Sequence, residues 1–262
     1  MIPKVIHYCW FGNNPLDDTA KKCINSWRNF FPNYQIRCWN EENFDICQID
    51  FMKDAYEKGK WAFVSDVARI LVIYKYGGVY FDTDVEVVAP YDDIFSEAPK
   101  GYLGCEFSGQ IATGLGFAAE QGDPFLAELI KEYKGLDFNK HEKDLSAITC
   151  PVITTKLMEQ KGFKSSGTKQ GFQDYIVYPE EYFSPMNYET GKMCITSHTH
   201  SIHWYGASWQ TDEEREYHLK EQKLKRLFGD RLGDRLAGMS SSIGREGFLP
   251  YVKRHFKNGQ DD

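Results

Sequence analysis

The sequence predicts an α/β fold with a mixed, mostly parallel sheet flanked by helices. Residues 5–39 contain a strand, a helix and a second strand in that order, and such βαβ units form parallel sheets through right-handed crossovers. Further apolar strands alternate with amphipathic helices up to about residue 180. A highly charged helical pattern follows from Asp212. We therefore expect a main domain over residues 1–211 and a helical extension over residues 212–262, packed on that domain or facing a membrane.

Each element has its own local signal. Apolar runs bounded by loop residues predict strands, which we place at Val5–Phe11, Tyr34–Trp39, Val79–Phe81, Gly101–Cys105, Ile111–Phe117 and Ile176–Pro179. Apolar residues at helical spacing predict helices, which we place at residues 18–27, 52–56, 61–76, 124–133, 152–160 and 213–236. Asp17 or Asp18 suits the N-cap of the first of these helices, and Asp123 suits that of the fourth. Residues 134–145 and 182–187 are expected to be loops.

The segment WAFVSDVARILVIYKYGGVYFDTDVE, residues 61–86, is the most informative part of the chain. It predicts a helix, a left-handed glycine cap at Gly77 and a strand that ends at an Asp-Thr-Asp sequence. Apolar residues continue after this sequence, which favours an interrupted buried strand. Asp66 and Arg69 lie three residues apart on one face of the helix, where an ordinary ion pair is the alternative interpretation.

Asp82 and Asp84 are candidate metal ligands. In an extended chain their side chains share a face and lie about 7 Å apart, and two like charges at that distance are unfavourable without a cation. Carboxylate oxygens suit magnesium or manganese. A solvated acidic turn at a strand end is the alternative.

The composition excludes several classes of protein. A net charge of −7 disfavours nucleic-acid binding through counterion release, and 42% hydrophobic with 26% charged residues is typical of globular proteins. The seven cysteines contain no C-x-x-C pair, so reduced thiols are expected. We expect neither a signal peptide nor a membrane-spanning helix. These features predict a cytoplasmic protein.

Three histidines follow one another closely in the segment ITSHTHSIHWYGAS. We interpret His198 and His200 as ordinary structural residues, while the aromatic and polar neighbours of His203 make it a candidate metal ligand. The chain has no H-E-x-x-H, Walker A, G-x-S-x-G or G-x-G-x-x-G motif, which argues against zinc hydrolases, P-loop enzymes, α/β-hydrolases and dinucleotide-binding proteins.

Four sequence blocks, found in this order between residues 2 and 209, resemble the DXD-containing glycosyltransferases of family 32. They are IPKVIHYCWFG, WAFVSDVARILVIYKYGGVYFDTDVEVV, the T-C-P block at Pro151, and SIHWYGASW. The family includes bacterial capsular-polysaccharide enzymes and is related to fungal initiating mannosyltransferases and large clostridial glucosylating toxins. Its third block usually reads G-P, whereas this chain has Cys150 before the proline.

The resemblance implies a GT-A-type nucleotide-sugar-binding fold and the roles of several residues. Trp10 matches the aromatic that stacks on the donor base. Asp66 and Arg69 match the pair that binds donor-sugar hydroxyls. Asp82 and Asp84 match the DXD acids, which contact the ribose or sugar and the metal. These four charged residues are the expected catalytic set.

The C-terminal block completes the implied site. His203 matches a further metal ligand, and Ser208 and Trp209 match a loop that closes over the donor diphosphate. The resemblance implies Mn²⁺ or Mg²⁺ and a nucleotide-sugar, most simply a UDP-sugar, as cofactor and donor. It also implies transfer of a hexose or N-acetylhexosamine, with retention of configuration, to a growing polysaccharide or lipid-linked glycan.

Two other functions remain open at this point. A metal-dependent phosphodiesterase or nucleotidyltransferase would use the same two aspartates, although it would not need Trp10, Trp209 or the Asp66–Arg69 pair. A non-catalytic module would keep the nucleotide pocket without turnover. The extension from Asp212 is a solvated helix packed on the domain or, alternatively, an amphipathic surface for peripheral contact with the inner face of the cell membrane.

Overall fold

The computed structural model describes residues 1–206, 212–229, 231–233 and 235–238. Its strands are β1 (Val5–Cys9), β2 (Gln35–Trp39), β3 (Gly78–Tyr80), β4 (Val85–Val87), β5 (Gly101–Gly104), β6 (Phe117–Ala119), β7 (Gln170–Phe172), β8 (Tyr175–Tyr178) and β9 (Ser201–His203). Its α-helices are α1 (Asp18–Phe30), α2 (Asp50–Glu57), α3 (Trp61–Tyr76), α4 (Asp92–Glu97), α5 (Pro124–Gly135), α6 (Cys150–Gln160), α7 (Glu180–Phe183) and α8 (Asp212–Phe228).

Within the described residues, one seven-stranded sheet has the order β2-β1-β3-β6-β5-β8-β7, and β4 pairs with β9 in a separate two-stranded sheet. Strands β2, β1, β3, β5 and β8 run in one direction, and β6 and β7 run in the other. The sheet is therefore mixed and mostly parallel. With helices on its faces and α8 as the C-terminal helical part, the predicted fold class is confirmed.

The helix boundaries follow from capping. The Asp17 side chain accepts a hydrogen bond from the Ala20 N–H at 2.7 Å, and the Asp123 side chain accepts one from the Leu126 N–H at 3.0 Å. Helix α3 ends at Gly77, whose φ of +64° favours glycine. A Cβ atom at this position would lie 2.8 Å from the Gln121 nitrogen, so the close approach of two backbones also requires glycine.

The sheet has a hydrophobic core on each face. On one face α2, α3, α5 and α6 bury a cluster that includes Phe51, Phe63 and Val67. On the other face α1 and the segment around α4 bury a cluster that includes Trp27 and Phe81. The Trp27 indole N–H also donates to the Val85 carbonyl at 2.8 Å, which ties α1 to β4. Because α3 and β3 are held by buried contacts, the residues between them are placed rigidly.

Several parts of the chain differ from the sequence-based expectation, and α4 and β9 have no predicted counterpart. The segment Ile111–Phe117, predicted as a strand, contains an isolated bridge between Cys105 and Ile111 and a 3-10 turn at Thr113–Leu115, with β6 only beginning at Phe117. Gly116, with a φ of +113°, bends the chain away from a strand conformation. Residues 182–187 are not wholly a loop, because α7 covers part of them. The polar segment 134–145 overlaps two 3-10 turns, at 138–141 and 145–148. Strand β7 has no predicted counterpart.

The described residues fall into two compact units. The first comprises residues 1–186 and 194–206, and the second comprises residues 187–193 and the described residues from 212 onward. Within the second unit, the Gln222 side chain donates to the Tyr188 carbonyl at 2.5 Å, and His218 stacks on the Tyr188 ring. None of the described helices combines the length and the apolar character that a bilayer crossing requires.

Candidate active site

Arg69 lies at the centre of a buried charged cluster. One nitrogen, Nη2, contacts Oδ1 of Asp66 at 2.9 Å and Oδ1 of Asp82 at 3.0 Å, and Nε donates to the Ser65 carbonyl at 3.2 Å. The guanidinium carbon also lies 5.1 Å from the centre of the Tyr80 ring. Arg69 is only 3% exposed. It therefore links the helix carboxylate to the first aspartate of the Asp-Thr-Asp sequence, which an ordinary helix ion pair would not do.

Asp66 contacts Arg69 and lies under the influence of the start of α6. The Cys150 backbone N–H acts to lower the pKa of the Asp66 carboxyl. Burial nevertheless raises the pKa of Asp66 to about 6, although Arg69 opposes the shift. A carboxylate with its charge disfavoured in this way gains from any further hydrogen-bond donor, such as a hydroxyl group.

Asp82 is fixed on three sides. The Tyr80 hydroxyl donates to its Oδ1 at 2.9 Å, and its backbone N–H donates to the Gly114 carbonyl at 3.3 Å. Burial raises the pKa of Asp82, while Arg69 acts in the opposite direction. Gly114 packs directly against this carboxylate, since a Cβ atom there would overlap Oδ2 of Asp82 and lie 3.0 Å from Nη1 of Arg69.

The Asp82–Asp84 segment is a turn and not the extended chain predicted from the sequence. The Val85 N–H donates to the Asp82 carbonyl at 3.0 Å, which closes a β-turn. The apolar residues that follow form β4, which leaves the main sheet and pairs with β9. The interrupted-strand prediction is therefore wrong in this respect, because the two halves belong to different sheets. The turn is partly buried, so it is not the solvated alternative either.

Pairing of β4 with β9 brings Asp84 to His203. Val85 lies opposite His203 in the ladder, and the next N–H, of Trp204, donates to the Asp84 carbonyl at 2.9 Å. Nε2 of His203 lies 3.1 Å from Oδ1 of Asp84, and the Gly206 N–H donates to Oδ2 at 2.7 Å. Burial alone would raise the pKa of Asp84, but His203 and the Gly206 N–H outweigh it and lower the pKa to about 2.

Asp82, Asp84 and His203 form a group that could hold a metal ion. One ligand atom from each lies within 4.8 Å of the others. Burial acts to lower the pKa of His203, but the negative charges of Asp84 and Asp82 outweigh this effect and raise the pKa. Nδ1 of His203 is buried without a hydrogen-bond partner among the described residues. Two carboxylates and one imidazole together suit Mn²⁺, whereas Mg²⁺ favours the carboxylates over the imidazole.

The remaining predicted site residues are Trp10, Ser208 and Trp209. Trp10 directly follows β1, and its backbone N–H donates to the Trp39 carbonyl at 2.9 Å while its indole N–H donates to the Asn14 carbonyl at 2.6 Å. Because β1 and β3 are parallel neighbours, Trp10 lies at the same sheet edge as Asp82. Ser208 and Trp209 lie outside the described residues.

His198 and His200 have structural contacts, as expected. Nε2 of His200 lies 3.0 Å from Oδ1 of Asp93, and the ring stacks parallel to that of Tyr182. Nδ1 of His198 lies 3.3 Å from Oε1 of Glu181. Both contacts are separate from the Asp82–Asp84–His203 group.

Sequence reasoning missed several residues of the site. Cys150 replaces the usual glycine, and its thiol lies 3.6 Å from Nη1 of Arg69 and 3.1 Å from the Thr113 hydroxyl. The replacement of glycine by Cys150 was the one sequence feature that pointed to this part of the site. The structure shows that the Cys150 thiol lies beside the Arg69 guanidinium. Tyr80 and Gly114 gave no signal of their own, because a strand tyrosine and an isolated glycine are common.

Comparison with known proteins agrees with this site. The family profile described as "Glycosyltransferase sugar-binding region containing DXD motif" matches residues 17–99. Inositol phosphoceramide mannosyltransferase 3 of Schizosaccharomyces pombe is 29% identical over 147 residues, which are 53% of this chain and 39% of the relative. Inositol phosphoceramide mannosyltransferase 1 of the same yeast is 31% identical over 140 residues, which are 49% of this chain and 42% of the relative.

A solved structure of the PaToxG glycosyltransferase has 17% identity and a TM-score of 0.47, covering 61% of this chain and 70% of that chain. The chain spans about two fifths of the length of the two yeast relatives. The profile and the two yeast relatives confirm the predicted resemblance to DXD-containing glycosyltransferases, with residues 17–99 matching the profile.

Proposed function

We propose that this chain is a metal-dependent retaining glycosyltransferase. It moves a hexose or N-acetylhexosamine from a nucleotide-sugar to a growing polysaccharide or a lipid-linked glycan. The supporting observation is the continuity of the site. Arg69 joins Asp66 to Asp82, and Asp82 belongs to the same group as Asp84 and His203. One donor molecule, with hydroxyls at one end and a diphosphate at the other, matches this sequence of groups.

The sugar end of the donor binds at Asp66 and Arg69. Their buried, mutually oriented charges offer both an acceptor and a donor of hydrogen bonds to ring hydroxyls. Such contacts hold the ring while the anomeric carbon flattens toward an oxocarbenium-like transition state. Trp10, at the same sheet edge, stacks on the nucleotide base. Ser208 and Trp209, to which the resemblance gives a role at the diphosphate, lie outside the described residues.

Asp82, Asp84 and His203 would hold a divalent cation, for which Mn²⁺ is our first choice. When bound, the ion supplies Lewis-acid stabilisation of the charge that develops on the leaving diphosphate. His203 would bind such an ion through a ring nitrogen that carries no proton, so ion binding and the loss of that proton are coupled. Asp84, with its pKa of about 2, is already ionised at neutral pH.

Retention follows from a front-face route. The acceptor oxygen forms a bond to the anomeric carbon on the side from which the diphosphate oxygen leaves, and the acceptor proton passes to that diphosphate oxygen. Asp66 and Asp82 are engaged by Arg69, and Asp84 is engaged by His203, so these carboxylates are poorly placed as nucleophiles. Trapping a glycosyl adduct on a side chain of the enzyme would contradict this route.

The donor nucleotide and the acceptor are the least specific parts of the proposal. We propose a UDP-sugar in capsule or other surface-glycan synthesis. The names of the two yeast relatives bring mannose and a phosphoinositol-containing lipid acceptor into consideration. We further propose a cytoplasmic catalytic domain over residues 1–211 and a helical extension over residues 212–262 that packs on that domain or, alternatively, makes peripheral contact with the membrane.

A donor panel tests the proposed activity. UDP-glucose, UDP-galactose, UDP-N-acetylglucosamine and GDP-mannose are each incubated with the full chain, with and without Mn²⁺, and nucleoside diphosphate release is measured. We expect Mn²⁺-dependent release from at least one donor. Release of the nucleoside monophosphate instead would indicate a phosphodiesterase and would contradict the proposal.

Two matched variants locate the activity. Asp84→Asn keeps the shape of the side chain but removes its negative charge, and we expect a loss of at least about 100-fold in Mn²⁺-dependent release. Asp50→Asn makes the same change at an exposed position in the first turn of α2 and should behave as wild type. If Asp84→Asn retains full metal-dependent turnover, Asp84 is not a ligand.

A further inference from the structure

A hairpin loop joins the candidate active site to a polar groove. Residues 106–110 follow β5 and are closed by a bridge between Cys105 and Ile111. The Glu106 N–H donates to the Gln110 carbonyl at 2.8 Å, and the Gly109 N–H donates to the Glu106 carbonyl at 2.8 Å. The Ile111 N–H donates to the Thr155 hydroxyl at 2.8 Å, which fastens the loop to α6. The loop therefore has a fixed shape.

The loop is continuous with the backbone that supports Asp82. Three residues beyond Ile111, the Gly114 carbonyl accepts a hydrogen bond from the Asp82 N–H at 3.3 Å. The first turn of α6 also belongs to the site, because Cys150 contacts Arg69. Both walls of the groove thus begin at the proposed donor site.

The groove itself has a volume of about 540 Å³, which is within the range of small-molecule sites. Its walls include Ser108 and Gln110 from the loop, Lys156 and Glu159 from α6, and Ser165. At a rise of about 1.5 Å per residue, these α6 positions lie roughly 9–14 Å along the helix axis from Cys150. The groove therefore leads away from the sugar end of the donor.

The chemistry of the groove fits a carbohydrate. Hydroxyl, amide, ammonium and carboxylate groups supply both donors and acceptors, and one lysine balanced by one glutamate favours neither an anionic nor a cationic ligand. Phe107, between Glu106 and the groove residue Ser108, is 53% exposed, which is high for an aromatic side chain. An exposed aromatic face beside polar groups suits the alternating apolar and hydroxylated faces of a sugar ring.

We propose that loop 106–110 and the outer face of α6 form the acceptor subsite. Phe107 is the platform for the acceptor sugar next to the donor, and the groove holds the preceding residues of a glycan. This inference rests on the proposed glycosyl transfer, because it names the second substrate of the same site. Phe107 and Lys156 would set acceptor affinity without contacting the donor.

Binding is tested separately from turnover. Saturation-transfer NMR with mannobiose, lactose and N,N′-diacetylchitobiose, each at about 10 mM, should show contact of at least one disaccharide with the wild-type chain. Phe107→Ala and Lys156→Ala should each weaken that contact by about 3- to 10-fold. Phe228→Ala, at a 52% exposed aromatic on α8, and Lys131→Ala, at an exposed lysine on α5, are the matched controls and should bind as wild type. If none of the three sugars contacts the wild-type chain, the groove is not a glycan site.

Kinetics distinguish failure of this inference from failure of the proposed function. Phe107→Ala and Lys156→Ala should raise the acceptor KM by the same factor and leave Mn²⁺-dependent donor hydrolysis within about twofold of wild type. Unchanged acceptor KM in both variants, with donor hydrolysis intact, overturns the acceptor subsite alone. If wild-type chain hydrolyses and transfers from no donor in the panel, the proposed function itself fails.

Discussion

Replacing Gly114 with alanine would place a methyl group against the Asp82 carboxylate. The added Cβ would overlap Oδ2 of Asp82 and come within 3.0 Å of Nη1 of Arg69. Neither group can move freely, because Asp82 is bonded to the Tyr80 hydroxyl and to Arg69, and its backbone is bonded to Gly114. Relief of the overlap therefore requires the Asp82 side chain to leave its present position, in which it forms the metal-binding group with Asp84 and His203.

The cost has two parts. Overpacking of a tight site costs about 1–3 kcal/mol of folding stability. Disturbing the support of a metal ligand lowers metal affinity by about 10- to 100-fold, or roughly 1.4–2.8 kcal/mol. We expect Gly114→Ala to remain folded and to bind Mn²⁺ within this range of weaker affinity, measured by isothermal titration calorimetry beside urea unfolding.

A glycine elsewhere supplies the matched control. Gly135, the last residue of α5, has no atom within 4 Å of a built Cβ, so Gly135→Ala should keep wild-type Mn²⁺ affinity. A folded Gly114→Ala chain with the affinity of wild type would show that Asp82 is not a metal ligand or that the loop yields without cost. Either outcome refutes the reasoning.

Three further predictions concern the charged cluster. Arg69→Met leaves Asp66 and Asp82 without their shared partner and should reduce the free energy of unfolding by about 3–5 kcal/mol in urea titrations; a loss below 1 kcal/mol would contradict this. Burial raises the pKa of Asp66 from 3.8 to about 6, so the folded protein holds the Asp66 proton more tightly than the unfolded chain does. This proton binding stabilises the fold fully below about pH 4, and the stabilisation is lost as the pH rises through about 6. The stability of wild type relative to Asp66→Asn should therefore fall by on the order of 3 kcal/mol between about pH 4 and pH 7, and a pH-independent difference would disprove the assigned shift. His203→Ala should weaken Mn²⁺ binding by at least about 10-fold, whereas His198→Ala, at an imidazole that contacts Glu181 and stacks on Tyr182, should not; equal affinities would remove His203 from the ligand set.

Local signals in the sequence were enough for much of the fold. The caps at Asp17 and Asp123 and the end of α3 at Gly77 were predictable, because each depends on a residue and its near neighbours. The Ile111–Phe117 segment was not predictable, because its apolar pattern suits a strand. Its conformation depends on Gly116 and on packing of Gly114 against Asp82, which are contacts between distant parts of the chain.

The candidate site shows the same limit. The motif placed Asp66, Arg69, Asp82 and Asp84 in one short segment, yet it did not reveal that Arg69 contacts both Asp66 and Asp82. It also predicted an extended Asp-Thr-Asp sequence where the structure has a turn. The turn depends on where β4 finds its partner, and a strand partner more than a hundred residues away leaves no trace in the local pattern.

The pairing of β4 with β9 has a consequence for when the proposed cation site forms. Asp84 and His203 come from the two strands of this ribbon, so the proposed ligands are close in space but more than a hundred residues apart in the sequence. During synthesis from the N-terminus, both aspartates leave the ribosome long before the imidazole does. A nascent chain ending before residue 201 has two ligands and an unpaired β4. Closing this long loop costs chain entropy, which a bound cation would offset. High affinity for the cation is therefore expected only after β9 has paired with β4, late in folding.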